Sequence, residues 1–513
     1  MDDLMAELQH QSTGQAPADK ASKKLKESEI GETGDTKNSS QKNSGLETSV
    51  KQFVSKDQIE AWNQNLISWA KKKGNYTPGL LPSIDEELAR NFKVQELSSF
   101  LLKKHTNLRM PAFERWFLDS KLDERHEHSP HQSDPVLPHQ SSPSSEPSKR
   151  LVDEICQDSV ATEDVAEATV AELCRRTNLA SQELSSQSER YKNQSPLKKG
   201  DRMELEYHDT TITFLYSRKK WKKPFTFKLN RQHYDKLRDR FLDVHNSSKN
   251  GSGSSSTKLQ LSNKNDRKDK VNHAFHVLIL CLMLRYSAIS GGQLLQDLRG
   301  GGNQGAIHEG CFDALRSSVP GNWMEGFASP FNVYLIAFCS AFPSIEWHFG
   351  SVGNFFDLSF GDGDCVEANP PFCPGLMEHM VDHMEQQLVA ADRKERRLTF
   401  AVIVPTANRK TSTSDIAAAK QAAKESFDRM VTSTFCRHHI VLSAREHGYI
   451  EGAQHLRPTK YKQSSYDTSV ILLQSKLARQ VPLDTSKLEK AVKKAFASRH
   501  EQELAERRKG QEK

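Results

Sequence analysis

Hydrophobic positions follow three regimes along the chain. Toward the amino end they recur at helical spacing: Trp62, Leu66, Ile67 and Trp69 share one face, and Ile84, Leu88 and Phe92 continue it. Leu108, Phe113, Trp116, Phe117 and Leu122 follow, and a further stripe (Val152, Ile155, Val160, Val165, Val170, Leu173) runs through residues 150–195. Period-two alternation then takes over. Met203, Leu205 and Tyr207, then Ile212, Phe214 and Tyr216, then Phe225, Phe227 and Leu229 predict a small antiparallel sheet. In the third regime, Val271 to Tyr286 is apolar on nearly all sides, which predicts a buried helix. Cys365–Ala368, Thr399–Val404, His439–Ser443 and Ser469–Leu473 read as strands, and Leu376, Met380, Met384 and Leu388 recur every four residues between the first two. Strand, helix, strand in that order is a βαβ unit, so the spacing predicts an α/β fold with a largely parallel sheet and right-handed crossovers.

The polar stretches set the boundaries. Residues 1–52 contain no aromatic residue and are rich in Lys, Ser, Glu and Gly, a composition that predicts a disordered tail. A helical unit over 53–124 is followed by a Pro-, Ser- and His-rich linker over 125–149 and a helical segment over 150–200. The linker histidines 126, 128, 131 and 139 read as a solvated loop rather than a metal site, because no rigid element fixes their geometry. The main unit spans 201–480 with a polar insertion at 246–270, and 481–513 reads as a charged helix or tail anchored by Ala491, Val492 and Phe496.

Composition narrows the classes. With 513 residues, 36% apolar and 27% charged, the chain is neither wholly disordered nor a small disulfide scaffold nor a multispanning membrane protein. The longest apolar run, Ala274 to Leu284, is too short to span a bilayer and contains His276. Asp2, Asp3 and Glu7 open a terminus without an apolar signal segment, which predicts no secretion. Eight cysteines are scattered with no Cys-x-x-Cys pair, as expected for reduced thiols in the cytosol or nucleus. The net charge of +6 permits an anionic partner without demonstrating one. Arg218, Lys219, Lys220, Trp221, Lys222 and Lys223 read as a phosphate grip, an import signal or a solvated hairpin tip.

One tetrapeptide, Asn369-Pro370-Pro371-Phe372, carries most of the chemical information. It falls where a strand ends and a helix begins, on the carboxyl edge where open α/β sheets bind ligands. Its residue types suit methyl transfer to an exocyclic or amide nitrogen, whose delocalised lone pair makes it a poor nucleophile. The Asn369 side-chain oxygen and the Pro370 carbonyl can accept the two hydrogens of an amino group. Proline fixes φ and has no N–H, so the loop is stiff and its carbonyl already aimed. Phe372 offers a face on which a planar base stacks, typically worth about 1–3 kcal/mol. Drawing both hydrogens toward acceptors localises the lone pair toward a methyl sulfonium, by positioning and preorganised dipoles alone. The competing reading is a Pro-rich helix entry with Phe372 in the core.

The wider run is more specific. Phe327-Ala328-Ser329-Pro330-Phe331-Asn332, Cys339-Ser340-Ala341-Phe342-Pro343, Phe349-Gly350-Ser351 and Glu367-Ala368-Asn369-Pro370-Pro371-Phe372-Cys373 together resemble the cap-specific adenosine N6-methyltransferase family. Arg285-Tyr286, Arg437-His438-His439, Glu446-His447-x-Tyr449 and Gly452-x-Gln454-His455 extend the resemblance over roughly 205–475. It implies a Rossmann-like methyltransferase core with an added N-terminal helical domain, S-adenosyl-L-methionine as donor and a nuclear enzyme; no metal is expected, because the sulfonium supplies its own leaving group and charge. The implied substrate is N6 of the 2′-O-methylated adenosine that starts a 7-methylguanosine-capped mRNA. Asn369, Pro370, Pro371 and Phe372 would bind the methionine end of the donor and the adenine, with Ser329, Pro330, Asn332 and Gly350 lining the donor pocket.

The chain departs from that family at three places. Animal members begin with a WW module, but Trp62 and Trp69 lie seven apart on a predicted helix, so the module is expected to be missing. The RNA polymerase II C-terminal domain is then a partner without its usual reader. Pro374 stands where the family has an acidic residue thought to contact substrate. Where the family has a Trp-Arg-Glu-Pro-Pro loop, this chain reads Thr406-Ala407-Asn408-Arg409-Lys410, leaving Asn408, Arg409 and Lys410 as candidate phosphate or substrate contacts. Arg109 and Arg115 beside Trp116 are candidates of the same kind, or a surface helix face. Two alternatives stay open: the same chemistry on internal RNA, DNA or a glutamine amide, and a non-catalytic RNA-binding scaffold.

Overall fold

The computed structural model describes residues 82–127, 134–139, 141–159, 161–192, 200–219, 221–247, 264–292, 305–406, 417–450 and 461–511. The tail, the Trp62–Trp69 stripe, Gln454, His455 and the Asn408–Lys410 loop lie outside these residues. Four helices open the described chain: α1 (Ile84–Lys104), α2 (Met110–Glu127), α3 (Glu146–Asp158) and α4 (Glu163–Lys192). Ser83 caps α1 by accepting the Glu86 N–H, and Asp85, Glu86 and Glu87 place negative charge at its positive end. β1 (Arg202–Tyr207), β2 (Thr211–Ser217) and β3 (Phe225–Asn230) form the small antiparallel sheet, with Phe214 opposite both Leu205 and Phe227. The alternation is obeyed because one face packs on α5 (Arg231–Ser247) and α6 (Lys264–Ile289), while the other is solvated.

Two boundaries differ from expectation. Residues 134–149 are not a free linker: Asp134 Oδ1 accepts the N–H groups of Val136 (2.9 Å) and Leu137 (2.8 Å) and the Nε of Arg90 (3.0 Å). That single aspartate closes a turn over two buried apolar residues, which composition could not show. Likewise Lys264–Lys270, placed in the polar insertion, are the opening turns of α6, a helix propagated outward from its buried apolar half.

After α7 (Glu309–Ser318) come β4 (Asn322–Ala328), β5 (Phe338–Ser340), β6 (Asp364–Ala368), α8 (Pro374–Arg393), β7 (Leu398–Pro405), α9 (Ala417–Thr432) and β8 (Cys436–Leu442). A short hairpin, β9 (Gly448–Ile450) with β10 (Tyr461–Gln463), precedes β11 (Thr468–Gln474) and α10 (Thr485–Gln511). Six strands form the central sheet in the order β5-β4-β6-β7-β11-β8. All are parallel except β11, which is antiparallel to both β7 and β8. Both faces of the central strands are covered, so β7 and β11 read as nearly continuous apolar runs, while β4 and β6 each carry a buried glutamate. Met380, Met384 and Leu388 of α8 lie with Phe400, Val402 and Leu473 on one face. Phe312 and Leu315 of α7 and Val492 and Phe496 of α10 lie with Ala401, Ile403 and Leu472 on the other.

The helical layer is welded to this sheet rather than tethered beside it. Its apolar cluster, centred on α6, includes Phe331, Phe342 and Phe349 from the loops after β4 and β5. Arg90 is fully buried between Glu86 (2.7 Å), Glu87 and Asp134. Arg285 binds Glu87 and donates to Ser344 at 3.0 Å, and the Tyr286 hydroxyl donates to Glu346 at 2.6 Å. A buried charge left without its partner is strongly destabilising, so these pairs specify how the layers meet. The basic cluster at the β2–β3 turn is divided: Arg218 is drawn inward onto Asp85 and the Tyr216 hydroxyl and packs over Trp221, while Lys219, Lys222 and Lys223 are exposed. No helix among the described residues is long and apolar enough to cross a membrane.

Candidate active site

The next strand after β4 lies to one side of it, and the next after β6 lies to the other, so the chain directions part between β4 and β6. Ligands of open α/β sheets bind at such a divergence, outside the carboxyl ends of the strands. Asn369-Pro370-Pro371-Phe372 leaves β6 at that point. The Cys373 N–H closes the turn onto the Pro371 carbonyl at 2.8 Å, and Pro374 starts α8, where proline's missing N–H costs nothing.

Asn369 is 6% exposed, and its Nδ2 donates to the Gly305 carbonyl at 3.1 Å. A carbonyl only accepts, so this contact orients the amide and leaves Oδ1 as the acceptor on the other side. Gly305 is held by its neighbour: Ala306 and Ile450 exchange two backbone hydrogen bonds at 3.0 and 2.8 Å. Pro371 and Phe372 are half-buried, so the turn is not sealed inside the protein. The Phe372 ring meets Tyr449 (6.4 Å, 70°) and Tyr466 (5.9 Å, 86°) edge-on. Its own environment is therefore an aromatic corner drawn from β9 and from the approach to β11.

A hydrogen-bond relay fixes that corner. His447 Nδ1 lies 2.7 Å from the Ser443 carbonyl and must donate to it. Burial lowers the His447 pKa, so the ring is neutral and its Nε2 accepts from the Thr468 hydroxyl at 2.7 Å. Thr468 in turn accepts from the Tyr449 hydroxyl at 2.7 Å. Sequence reasoning picked out His447 and Tyr449 as family-like residues but missed Tyr466 and Thr468, which carry no local motif.

Beneath the turn, Glu367 of β6 and Glu325 of β4 are register partners and both buried. Burial, and the proximity of each to the other, hold Glu367 well above the usual carboxyl range. Burial likewise raises Glu325 to about 7, although it accepts the N–H groups of Tyr334 (2.7 Å) and Leu335 (2.6 Å). Acidic residues inside an apolar strand were a signal that sequence reading passed over. Ser329 and Asn332 close the turn after β4, the Asn332 oxygen accepting from the Ser329 N–H (2.7 Å) and hydroxyl (3.0 Å), with Pro330 buried between them. That turn faces β6 across the divergence. Gly350 does not join it: it adopts φ +98° against the Ile336 carbonyl, beyond edge strand β5, with β5 and β4 between it and Asn369.

Among the candidate substrate contacts, Pro374 is buried as the first residue of α8, which leaves little of it for a ligand. Asn408, Arg409 and Lys410 follow β7, whose last described neighbour, Thr406, is tied to Asp467 and Ser469. Arg115 is engaged as a fork on Glu154 (3.1 and 2.7 Å), while Arg109 is exposed. A cavity of about 310 Å³ lies elsewhere, at the amino edge of the same sheet, lined by Asn322, Asp364, Arg397 and Arg437 among others.

Comparison with known proteins places the likeness on this region. Residues 258–452 match the family model described as "Phosphorylated CTD interacting factor 1 WW domain". Two curated relatives, both called mRNA (2'-O-methyladenosine-N(6)-)-methyltransferase, from Homo sapiens and Mus musculus, are each 34% identical over 209 residues. The match covers 40% of this chain and 27% of each relative, so the chain matches about a quarter of their length. The resemblance read from the motif residues is thus shared by independent comparisons. The family description includes a WW domain, against the expectation that this module is missing. The matched stretch holds α6, α7, β4 to β9 and the Asn369–Phe372 turn.

Proposed function

We propose that this chain transfers a methyl group from S-adenosyl-L-methionine to N6 of the first transcribed, 2′-O-methylated adenosine of 7-methylguanosine-capped mRNA, in the nucleus. The observation that carries the reading is the anchored Asn369 amide at the carboxyl edge of β6, its oxygen left to accept, beside a half-exposed aromatic ring. The sheet order, with one reversed strand between β7 and β8, supports a Rossmann-like methyltransferase core, and α1 to α4 support an added helical domain. The residues suit a cationic sulfonium: Arg240 and Lys236 already pull on the buried Glu325, whereas Glu367 is raised by burial and by Glu325 alone, and a positive charge over the pair would favour its ionised form. When bound, the donor supplies an electrophilic methyl and its own leaving group. Asn369 Oδ1 and the Pro370 carbonyl receive the two N6 hydrogens, which concentrates the nitrogen lone pair. Phe372 supports the adenine ring, and the Tyr449–Thr468–His447 relay stiffens the corner behind it. Capped RNA is the partner, and the phosphorylated polymerase tail joins it on the matched family's description.

The experiment is mass analysis of labelled methyl transfer to matched capped and uncapped adenosine-initiated RNAs. Label at N6 of the first adenosine on the capped RNA alone is the expected result. Equal labelling of both moves the reading to a general adenine methyltransferase, and none to a non-catalytic binder.

A further inference from the structure

Two prolines stiffen the Asn369–Phe372 turn, but proline donates no hydrogen bond through which neighbours can hold it. Its outgoing end is held from another part of the chain. Asp119, on α2 of the helical layer and 2% exposed, accepts the Gly375 N–H through Oδ2 at 3.1 Å and the Leu376 N–H through Oδ1 at 3.0 Å. Those are first-turn donors of α8, which have no partner within their own helix. The approach is close: a Cβ at Gly375 would sit 2.8 Å from the Asp119 carboxyl carbon, so only glycine leaves room. Met377 N–H bonds the Cys373 carbonyl at 3.0 Å and Cys373 N–H bonds the Pro371 carbonyl, so the grip on α8 passes without a break into the turn.

We propose that Asp119 is a positioning residue for methyl transfer: its carboxylate clamps the start of α8, sets the attitude of the Asn369–Phe372 turn, and makes the helical layer part of the active centre. The proposal rests on the methyl-transfer reading. As a carboxylate Asp119 offers two equivalent acceptors; protonated, it turns one oxygen into a donor facing an N–H. Burial raises its pKa to about 6, against the pull of the Gly375 and Leu376 N–H groups and of Arg150. The clamp is therefore complete above about pH 6 and is lost as pH falls through it. Arg150 of α3 lies 3.6 Å from Oδ2 and also faces Glu146 and Glu378. At the cap of α8, Cys373 faces Asp119 with its thiol pushed up by burial, and within α8 His379 pairs with Asp123 of α2, which raises the His379 pKa. Arg115 and Glu154 neutralise one another nearby.

The test compares the full wild-type chain with Asp119→Asn on capped, adenosine-initiated RNA between pH 5 and pH 8, alongside amide hydrogen exchange of residues 370–378. Wild-type turnover falls as pH drops through about 6. Asp119→Asn shows a pH-independent kcat roughly 10- to 100-fold below the wild-type plateau, little change in KM, and faster exchange at Gly375 and Leu376. A variant that keeps wild-type kcat and the same acid limb overturns the proposal. If Asp119→Asn does not fold, Arg150→Gln decides: loss of the neighbouring cation shifts the acid limb to higher pH, and an unmoved limb counts against Asp119. If wild-type chain transfers no methyl at any pH, the methyl-transfer reading fails. Exchange at Gly375 and Leu376 then still decides the clamp, unchanged exchange in Asp119→Asn overturning it.

Discussion

The two edges of the central sheet hold similar residue types and put them to opposite uses. At the amino edge, the cavity of about 310 Å³ is lined by apolar residues such as Val319, Val481 and Leu483 and by charged and amide side chains that bond to one another. Arg397 forks onto Asp362 at 2.8 Å, and Arg437 donates to Gln474 and to the carbonyls of Arg479 and Val481 at 2.9 to 3.1 Å. Gln474 completes the set by donating to Thr399. At the carboxyl edge, each key group is held by one function and leaves another open. Asn369 is anchored through its nitrogen and open at its oxygen, the half-buried Phe372 packs nearly perpendicular to Tyr449 and Tyr466, and Glu367 is a buried carboxyl raised by burial and by its neighbour Glu325. Concavity alone selects the amino edge, and the methyl-transfer proposal selects the other. Incomplete satisfaction of rigidly held groups is what marks a site.

Substitutions at the two edges should therefore separate activity from stability. The largest effect is expected for Asn369→Ala: N6 methyl transfer falls about 100- to 1,000-fold, as for loss of one preorganised acceptor or donor at a reacting group, while the melting temperature stays within a few degrees. Phe372→Ala comes next, raising the RNA KM by roughly 10- to 100-fold through a lost stacking platform worth about 1–3 kcal/mol. Donor binding should be proton-linked. The carboxyl of Glu325 is raised to about 7, a bound cation favours its ionised form, and so affinity rises as pH increases through 7 with protons released. Calorimetry in two buffers of different ionisation enthalpy measures that release; zero protons at pH 7 would break the assignment of these carboxyls to the donor. Arg437→Gln, at the other edge, should leave turnover per folded molecule unchanged and cost about 1.5–3 kcal/mol of stability in a denaturant titration.

Much of this was legible in the chain. The four strands read at 365–368, 399–404, 439–443 and 469–473 are β6, β7, β8 and β11, extended by a residue or more at most of their ends. β7 and β11 were visible because strands buried on both faces are almost wholly apolar, and the α8 stripe because Met380, Met384 and Leu388 face one side. The reversed direction of β11 was not visible, since pairing sense leaves no mark on composition. The same holds for Asp134, whose cap turned an expected linker into packed structure. At the site, the motif residues announced themselves through proline stiffness, yet Gly305, Tyr466 and Asp119 reach the turn from positions 64 to 257 residues distant or through ring contacts alone. Long-range partners of that kind depend on how layers meet, which local periodicity does not encode. Gly350 shows the converse: a glycine turn of the right type, placed by the fold beyond the edge strand.

A structure of the chain with an unreactive donor analogue and a capped, adenosine-initiated oligonucleotide tests the geometry of the Asn369–Phe372 turn. The adenine N6 is expected within about 2.7–3.2 Å of both Asn369 Oδ1 and the Pro370 carbonyl oxygen, with Phe372 against the base. An adenine bound elsewhere, or an N6 that meets neither oxygen, would contradict it.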